Sequence, residues 1–223
     1  MVFESILGTK AEPGPLITRL PEIKLHAVGE AAKFDASDLL KEGKPVLFLV
    51  IRRPRCVLCR EQAGELAKFK ATIERCGVRM VGVLKEELGA DEFKAFWPAP
   101  LFVDDDKEFY KLVGRGSLHS ASTVDYIAPQ TLSNLARAKA KGYSGLTGGE
   151  GFIYGGLLIV KPDGEISYQY AEKHWGDHAP VPEVIEACKA LAPEDVRAAI
   201  NKEGVDFSQL SNGAYCGDTA CRM

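Results

Sequence analysis

The sequence contains no long run of apolar residues. No segment approaches the roughly 20 apolar residues that a membrane-spanning helix needs. The opening stretch, MVFESILGTKAEPGPL, has an early acidic residue and no apolar stretch of signal-peptide length. We therefore expect a cytoplasmic protein, in the cytosol or an organelle matrix, that does not associate with membranes.

An excess of basic charge is also missing. The chain has 28 Lys and Arg against 31 Asp and Glu, which gives a net charge of −3. No overall field therefore favours nucleic acid as a partner. A local basic cluster nevertheless needs an explanation. It comprises Arg52, Arg53, Arg55 and Arg60.

Cysteine is too scarce for a small domain stapled by disulfides, because only 6 of the 223 residues are Cys. Cys76 and Cys188 lie in predicted helices and are interpreted as small core residues. The other four cysteines form two close pairs, Cys56 with Cys59 and Cys216 with Cys221. These two pairs are the candidates for thiol chemistry.

The order of predicted elements indicates an α/β fold. Residues 44–51 and 78–85 are continuous apolar runs that predict buried strands, and residues 57–76 between them predict a helix. Residues 155–172 predict a hairpin around the turn KPDGE. A Cys-x-x-Cys motif at a strand-to-helix junction is typical of thioredoxin-like proteins. We therefore predict a thioredoxin-like fold with a central mixed sheet flanked by helices.

Three segments are predicted along the chain. Residues 1–34 are rich in Pro and Gly and are interpreted as an N-terminal arm. Residues 35–203 hold the predicted strands and helices and form the thioredoxin-like domain. Residues 204–223 are polar and are expected to form a flexible tail that carries the pair Cys216 and Cys221.

The pair Cys56 and Cys59 has the spacing of one helical turn, which is short enough for a disulfide. A helix N-terminus carries about half a positive charge, and the four clustered arginines add to it. Both effects favour thiolate over thiol and lower a cysteine pKa. Pro54 stiffens the approach to the pair. Electron transfer through a disulfide is the chemistry that this combination favours.

Other interpretations of the cysteines have less support. A structural zinc ion needs four ligands, and Cys-x-x-Cys supplies two; Cys216 and Cys221 could complete the set only with an unusual spacing. A static disulfide does not suit a reducing compartment. No Gly-rich phosphate loop accompanies the arginines. We therefore expect no bound metal and no bound cofactor.

Several stretches resemble the peroxiredoxin-like AhpC/TSA family, which includes prostamide/prostaglandin F synthase. They are RRPRCVLCREQAGEL, GVRMVGVLKE, FVDDDKEFYKLVG and GGEGFIYGGLLIVKPDGEI followed by HWGD, within roughly residues 35–190. The resemblance implies a thioredoxin fold, a thiol-based oxidoreductase, and reduction by a thioredoxin-type system. It places Cys56 and Cys59 at the family's redox pair, Arg52 and Arg53 at its paired arginines, and Gly155 and Gly156 before the next strand.

Two departures leave questions open. Arg55 stands where the family commonly has glycine, and the Pro-x-x-x-Thr-x-x-Cys motif of true peroxiredoxins is missing. Either Cys56 or Cys59 could therefore be the attacking sulfur, and we favour Cys56 because it is expected to be more exposed. The tail pair is either an added thiol relay or uninvolved.

The predicted activity is reduction of a peroxide or endoperoxide through a Cys56–Cys59 dithiol/disulfide cycle. An external thioredoxin-type dithiol, ultimately supplied by NADPH, would restore the pair. The alternatives are a redox-sensing interaction protein and a protein-disulfide reductase. Tyr154, Gly155 and Gly156 are candidates for a substrate cleft, with core packing as the equal alternative. The sequence selects neither the substrate nor an oligomeric state.

Overall fold

The computed structural model describes residues 18–210, and these contain a seven-stranded mixed sheet. The strand order is β2-β1-β5-β4-β3-β6-β7. β3, β4 and β5 are parallel, and the other neighbouring strands pair antiparallel. The strands are β1 (Lys24–Ala27), β2 (Lys33–Asp35), β3 (Val46–Val50), β4 (Arg79–Leu84), β5 (Leu101–Val103), β6 (Gly156–Val160) and β7 (Ile166–Ala171).

Helices cover both faces of this sheet, as predicted. They are α1 (Val57–Ala67), α2 (Lys70–Arg75), α3 (Ala90–Phe93), α4 (Glu108–Val113), α5 (Pro129–Ala140), α6 (Val181–Leu191) and α7 (Glu194–Glu203). Short 3₁₀ turns are Ala36–Leu40, Thr123–Tyr126 and Phe207–Gln209. Within residues 18–210, no helix has both the length and the apolar character needed to cross a bilayer.

The central strand β3 is buried on both faces. Leu47 and Leu49 join the apolar cluster that includes residues of α1 and α6, whereas Val46, Phe48 and Val50 join the cluster on the α4 side. Successive side chains of a strand point to opposite faces, which produces this division. A strand covered on both faces needs apolar residues at every position, and the continuous run in the sequence has this cause.

Two predicted boundaries differ from the structure. The helix predicted over 57–76 is two helices, because Phe69 leaves the helical conformation (φ −104°, ψ 10°) and is buried in the core. The sheet begins at Lys24, inside the segment interpreted as an N-terminal arm. Leu25 of β1 is fully buried, so burial of apolar side chains keeps this part of the predicted arm in the domain.

The tail is described only in part. Residues 204–210 lie on the domain, where the ring of Phe207 packs 5.4 Å from that of Phe69. The side chain of Lys68, at the end of α1, donates to the Gln209 carbonyl at 2.8 Å. Cys216 and Cys221 lie outside the described residues.

Candidate active site

Cys56 lies at the junction of β3 and α1. It is the residue before the first helical position of α1, with an extended backbone (φ −77°, ψ 131°). Its carbonyl accepts the first helical hydrogen bond, from Arg60 N at 3.0 Å. Cys59 follows in the first turn. Both are free thiols and are almost fully buried, at 5% and 2% exposed.

Arg52 is the cation in direct contact with the Cys56 sulfur. Its Nη2 lies 2.7 Å from Cys56 Sγ, and its guanidinium stacks 4.9 Å from the ring centre of Trp175. Its side chain is buried. Burial by itself would lower the pKa of Arg52, but the charges of the neighbouring sulfurs raise it above its usual value. Arg52 therefore stays charged beside Cys56.

The two thiols have different pKa values. A hydrogen bond from the Cys59 thiol, assisted by the charge of Arg52, holds the pKa of Cys56 well below its usual value although burial opposes this. The same hydrogen bond, together with burial, raises the pKa of Cys59 well above its usual value. Cys56 is therefore the more acidic sulfur of the pair and Cys59 the less acidic one. Hydrogen bonding and charge account for this difference in pKa, and the small difference in exposure does not.

The arginine cluster divides into two groups. Arg52 and, less strongly, Arg53 lower the pKa of Cys56. Arg60 instead donates from Nε to the Pro54 carbonyl at 3.1 Å and from Nη1 to the Ser144 carbonyl at 3.2 Å. Its guanidinium thus stabilises the backbone of two loops.

Arg55 also contacts a neighbouring loop. An added Cβ at Gly89 would lie 2.2 Å from Arg55 Cγ, and one at Gly148 would lie 3.0 Å from its Nη1. The Arg55 side chain therefore runs along these two glycines. Arg55 and Arg60, which the sequence suggests as thiolate-stabilising residues, are positioned to bind loops.

Glu172 is a buried carboxyl near the thiols that the sequence analysis missed. It directly follows β7 and is 2% exposed, and its Oε2 accepts from Gly155 N at 3.2 Å. Burial raises its pKa to about 7, although Arg52 opposes the rise. Its place directly after the second strand of the predicted hairpin was the signal for it in the sequence.

The predicted cleft residues pack the core. An added Cβ at Gly155 would lie 2.1 Å from the Val50 carbonyl, and one at Gly156 would lie 2.1 Å from the Tyr170 carbonyl. Both positions need glycine because neighbouring backbone leaves no space for a side chain. Tyr154 is buried, with its hydroxyl 3.3 Å from Asp125 Oδ2. The core-packing interpretation fits all three.

An aromatic surface lies beside the site. The ring centres of Tyr126 and Phe152 lie 5.1 and 6.0 Å from that of Trp175, on which Arg52 stacks. Tyr126 and Phe152 are exposed. Arg52 therefore contacts both the Cys56 sulfur and the buried ring of Trp175, and Trp175 in turn contacts the two exposed rings.

No metal site accompanies the thiols in the part of the chain that the structure describes: residues 18–210 hold no cluster of three or more His, Cys, Asp or Glu placed to bind an ion. Cys76 and Cys188 are buried in the core. Burial raises the pKa of Cys188 to about 12, which keeps it an inert thiol.

Comparisons with known proteins show which family the chain resembles. The chain matches the family described as "AhpC/TSA antioxidant enzyme" over residues 65–174. It is 32% identical to chicken (Gallus gallus) peroxiredoxin-like 2A over 179 residues, which is 78% of each chain. It is 33% identical to bovine (Bos taurus) prostamide/prostaglandin F synthase over 167 residues, 73% of this chain and 82% of that protein.

A solved structure supports the fold. A peroxiredoxin-like protein from Aquifex aeolicus superposes with a TM-score of 0.52 at 14% identity, covering 82% of this chain and 90% of that one. The likeness extends over most of both chains, so the predicted thioredoxin-like fold is confirmed.

Proposed function

The chain belongs to the peroxiredoxin-like AhpC/TSA family, and from that premise we propose that it reduces a peroxide or endoperoxide through a Cys56–Cys59 cycle. Family membership indicates a thiol oxidoreductase. The observation that carries the finer proposal is the Arg52 guanidinium, 2.7 Å from a buried sulfur that a neighbouring thiol also stabilises. Such a sulfur is an activated nucleophile.

In the first step the Cys56 thiolate attacks the O–O bond. With a hydroperoxide, a sulfur–oxygen bond forms, the O–O bond breaks, and the departing alkoxide takes up a proton and leaves as the alcohol, so that Cys56 becomes the sulfenic acid. With an endoperoxide, the first oxygen stays bonded to Cys56 as a sulfenate ester while the second takes up a proton, and the later attack of Cys59 releases the first oxygen, which takes up a proton and becomes the second hydroxyl group of the product. In both cases Cys56 is oxidised and the peroxide bond is reduced. Negative charge moves from sulfur to oxygen during this step, and the fixed charge of Arg52 lies beside it.

In the second step Cys59 loses its proton and attacks the Cys56 sulfur. A disulfide forms, and the hydroxyl group of the sulfenic acid takes up a proton and leaves as water. Cys59 needs a proton acceptor because its pKa is raised. Glu172 is a buried carboxyl whose charge acts on Cys59 and whose own pKa is about 7. It is suited to hold that proton at neutral pH.

The cycle closes when an external thioredoxin-type dithiol in the cytoplasm, reduced ultimately by NADPH, exchanges with the disulfide. Two thiols of the donor become a disulfide, and Cys56 and Cys59 return to thiolate and thiol. Protein disulfides are the less favoured substrate, because both sulfurs of the reduced pair are buried.

The test is NADPH consumption in the presence of thioredoxin and thioredoxin reductase, with hydrogen peroxide and an organic hydroperoxide offered in turn. We expect turnover in the wild type and in the control Cys76→Ser, whose thiol lies in the core. Turnover should be lost in Cys56→Ser and in Cys59→Ser. Full turnover in either of these variants would contradict the mechanism.

A further inference from the structure

Lys85 lies beside Arg52 at the carboxyl edge of the sheet. It directly follows β4, and Arg52 comes two residues after the end of β3, the parallel neighbour of β4. The register pairs Val50 with Val83, and its continuation brings Arg52 and Lys85 level with each other. The Lys85 side chain is only 2% exposed. A buried ammonium group is costly unless other groups pair with it, so its partners indicate its role.

Three groups surround the ammonium group of Lys85. Its Nζ donates to the Arg52 carbonyl and lies 3.0 Å from Glu150 Oε2. It also lies 5.1 Å from the ring centre of Tyr110, whose hydroxyl donates to the Ile51 carbonyl at 2.7 Å. The backbone just after β3 is therefore held at two successive carbonyls, one by Tyr110 and the next by Lys85.

Glu150 shapes the turn that follows it in the chain. Its Oε1 accepts from the backbone amides of Phe152 and Ile153, the latter at 3.2 Å. Gly151 lies inside this turn, and its carbonyl accepts from Arg52 Nη1 at 2.7 Å. Glu150 therefore sets the position of the carbonyl that binds the Arg52 guanidinium.

The ion pair between Lys85 and Glu150 joins these two sets of contacts. Burial would raise the pKa of Glu150, but the charge and hydrogen bond of Lys85 hold it below its usual value. Glu150 is therefore ionised at neutral pH, and the ion pair connects its turn to the backbone of Arg52. Arg52 is held at its carbonyl and at Nη1, and its Nη2 lies 2.7 Å from Cys56 Sγ. A side chain that is held in this way has less rotamer freedom to lose when it contacts the sulfur.

We propose that Lys85 and Glu150 are a positioning pair, which fixes the Arg52 guanidinium against the Cys56 sulfur. The pair acts through Arg52, whose Nη2 makes the contact with the sulfur. A cation that is held in place before a reaction stabilises moving charge without having to reorganise. The proposal rests on the proposed function for the reaction that the pair serves, but the contacts that carry it do not depend on that reaction.

Glu150→Gln separates positioning from a direct effect of charge. The substitution removes a negative charge from the neighbourhood of Cys56, which by itself would favour the thiolate and lower the pKa of Cys56. If Glu150 positions Arg52, the same substitution loosens the contact between Arg52 and the sulfur, and the pKa of Cys56 rises. The two explanations therefore predict opposite signs. Glutamine has nearly the shape of glutamate and the Glu150 side chain is 40% exposed, so we expect the variant to fold.

The test is the pH profile of Cys56 alkylation by iodoacetamide in the full chain, reduced beforehand with dithiothreitol that is then removed. Peptide mass mapping measures the adduct on Cys56, and the midpoint of the rate against pH gives the pKa of its thiol. The proteins are wild type, Glu150→Gln, and the double variant Lys85→Met with Glu150→Gln. The matched control is Glu165→Gln, which removes the acid from an exposed ion pair with Lys161, also at 3.0 Å.

The Glu150→Gln midpoint should lie about one pH unit above that of the wild type, which is a roughly tenfold loss of thiolate at a given pH below the midpoint. The double variant should show the same rise, because the two residues act as one unit and their effects do not add. Direct effects of charge would instead nearly cancel in the double variant. Glu165→Gln should leave the midpoint unchanged. A Glu150→Gln midpoint equal to or below that of the wild type would overturn the proposal.

The two proposals fail in different ways. A raised midpoint in Glu150→Gln, in a protein that reduces no peroxide, would overturn the peroxidase function and leave the positioning pair standing. An equal or lower midpoint, in a protein with full peroxide turnover, would overturn the positioning pair alone.

Discussion

Glu172→Gln is expected to stabilise the protein at neutral pH more than at acid pH. Burial raises the pKa of Glu172 to about 7 from its ordinary 4.5. The folded protein therefore binds this proton more tightly than the unfolded chain does. The resulting contribution to stability is complete below pH 4.5, and it is lost as pH rises through 7.

The size of the effect follows from the two pKa values. The difference between 4.5 and about 7 corresponds to about 3 kcal/mol at high pH, of which about 2 to 3 kcal/mol develops between pH 5 and pH 8. Glutamine cannot ionise, and its side-chain carbonyl still accepts from Gly155 N. Any change in packing is the same at both pH values and cancels in the comparison.

Urea unfolding of wild type and Glu172→Gln at pH 5 and pH 8, under reducing conditions, measures this directly. The variant's advantage in the free energy of unfolding should grow by about 2 to 3 kcal/mol from the lower pH to the higher. An advantage that is the same at both pH values would refute the argument that a buried, protonatable carboxyl lies here.

Three further changes test the site. Arg52→Lys should move the titration of the Cys56 thiolate, followed by its ultraviolet absorbance, to higher pH, whereas Arg60→Lys should leave it in place; equal shifts would contradict the division of the arginines. Gly145→Ala should speed alkylation of the reduced pair by iodoacetamide, because the added Cβ would lie 2.5 Å from Val57 N and would displace the loop around Gly145 from the start of α1. The exposed Ser144→Ala is the control, and unchanged alkylation would argue that this loop does not cover the pair. A chain ending at Leu210 should keep its thioredoxin-coupled peroxide turnover, and a large loss would instead identify the tail cysteines as a relay.

Sequence pattern predicts the parts of this site that depend on local order. The apolar run over 44–51 gives β3, and the cysteine spacing gives a pair at the start of α1, because both depend on neighbouring residues. The short strand β1 was missed because four residues, KLHA, carry too little period to detect. The break at Phe69 depends on the core that receives its ring.

Long-range contacts explain the rest of what was missed. In the sequence, Arg60 lies close enough to the cysteines to suggest a thiolate-stabilising role. In the fold, its guanidinium instead donates to the carbonyl of Ser144, which is 84 residues away in the chain. The sequence alone gives no reason to expect that Glu172 is buried. In the fold its side chain accepts a hydrogen bond from Gly155 N. Exposure was the wrong basis for favouring Cys56, since both sulfurs are buried and electrostatics separates them.

The most direct test of the central claim is to find which sulfur takes up oxygen. Cys56→Ser and Cys59→Ser proteins are each treated with a single equivalent of organic hydroperoxide and a sulfenic-acid trap, and the adduct is located by peptide mass mapping. The account predicts an adduct on Cys56 in the Cys59→Ser protein and no adduct on Cys59 in the Cys56→Ser protein. An adduct on Cys59 with Cys56 unmodified would contradict it.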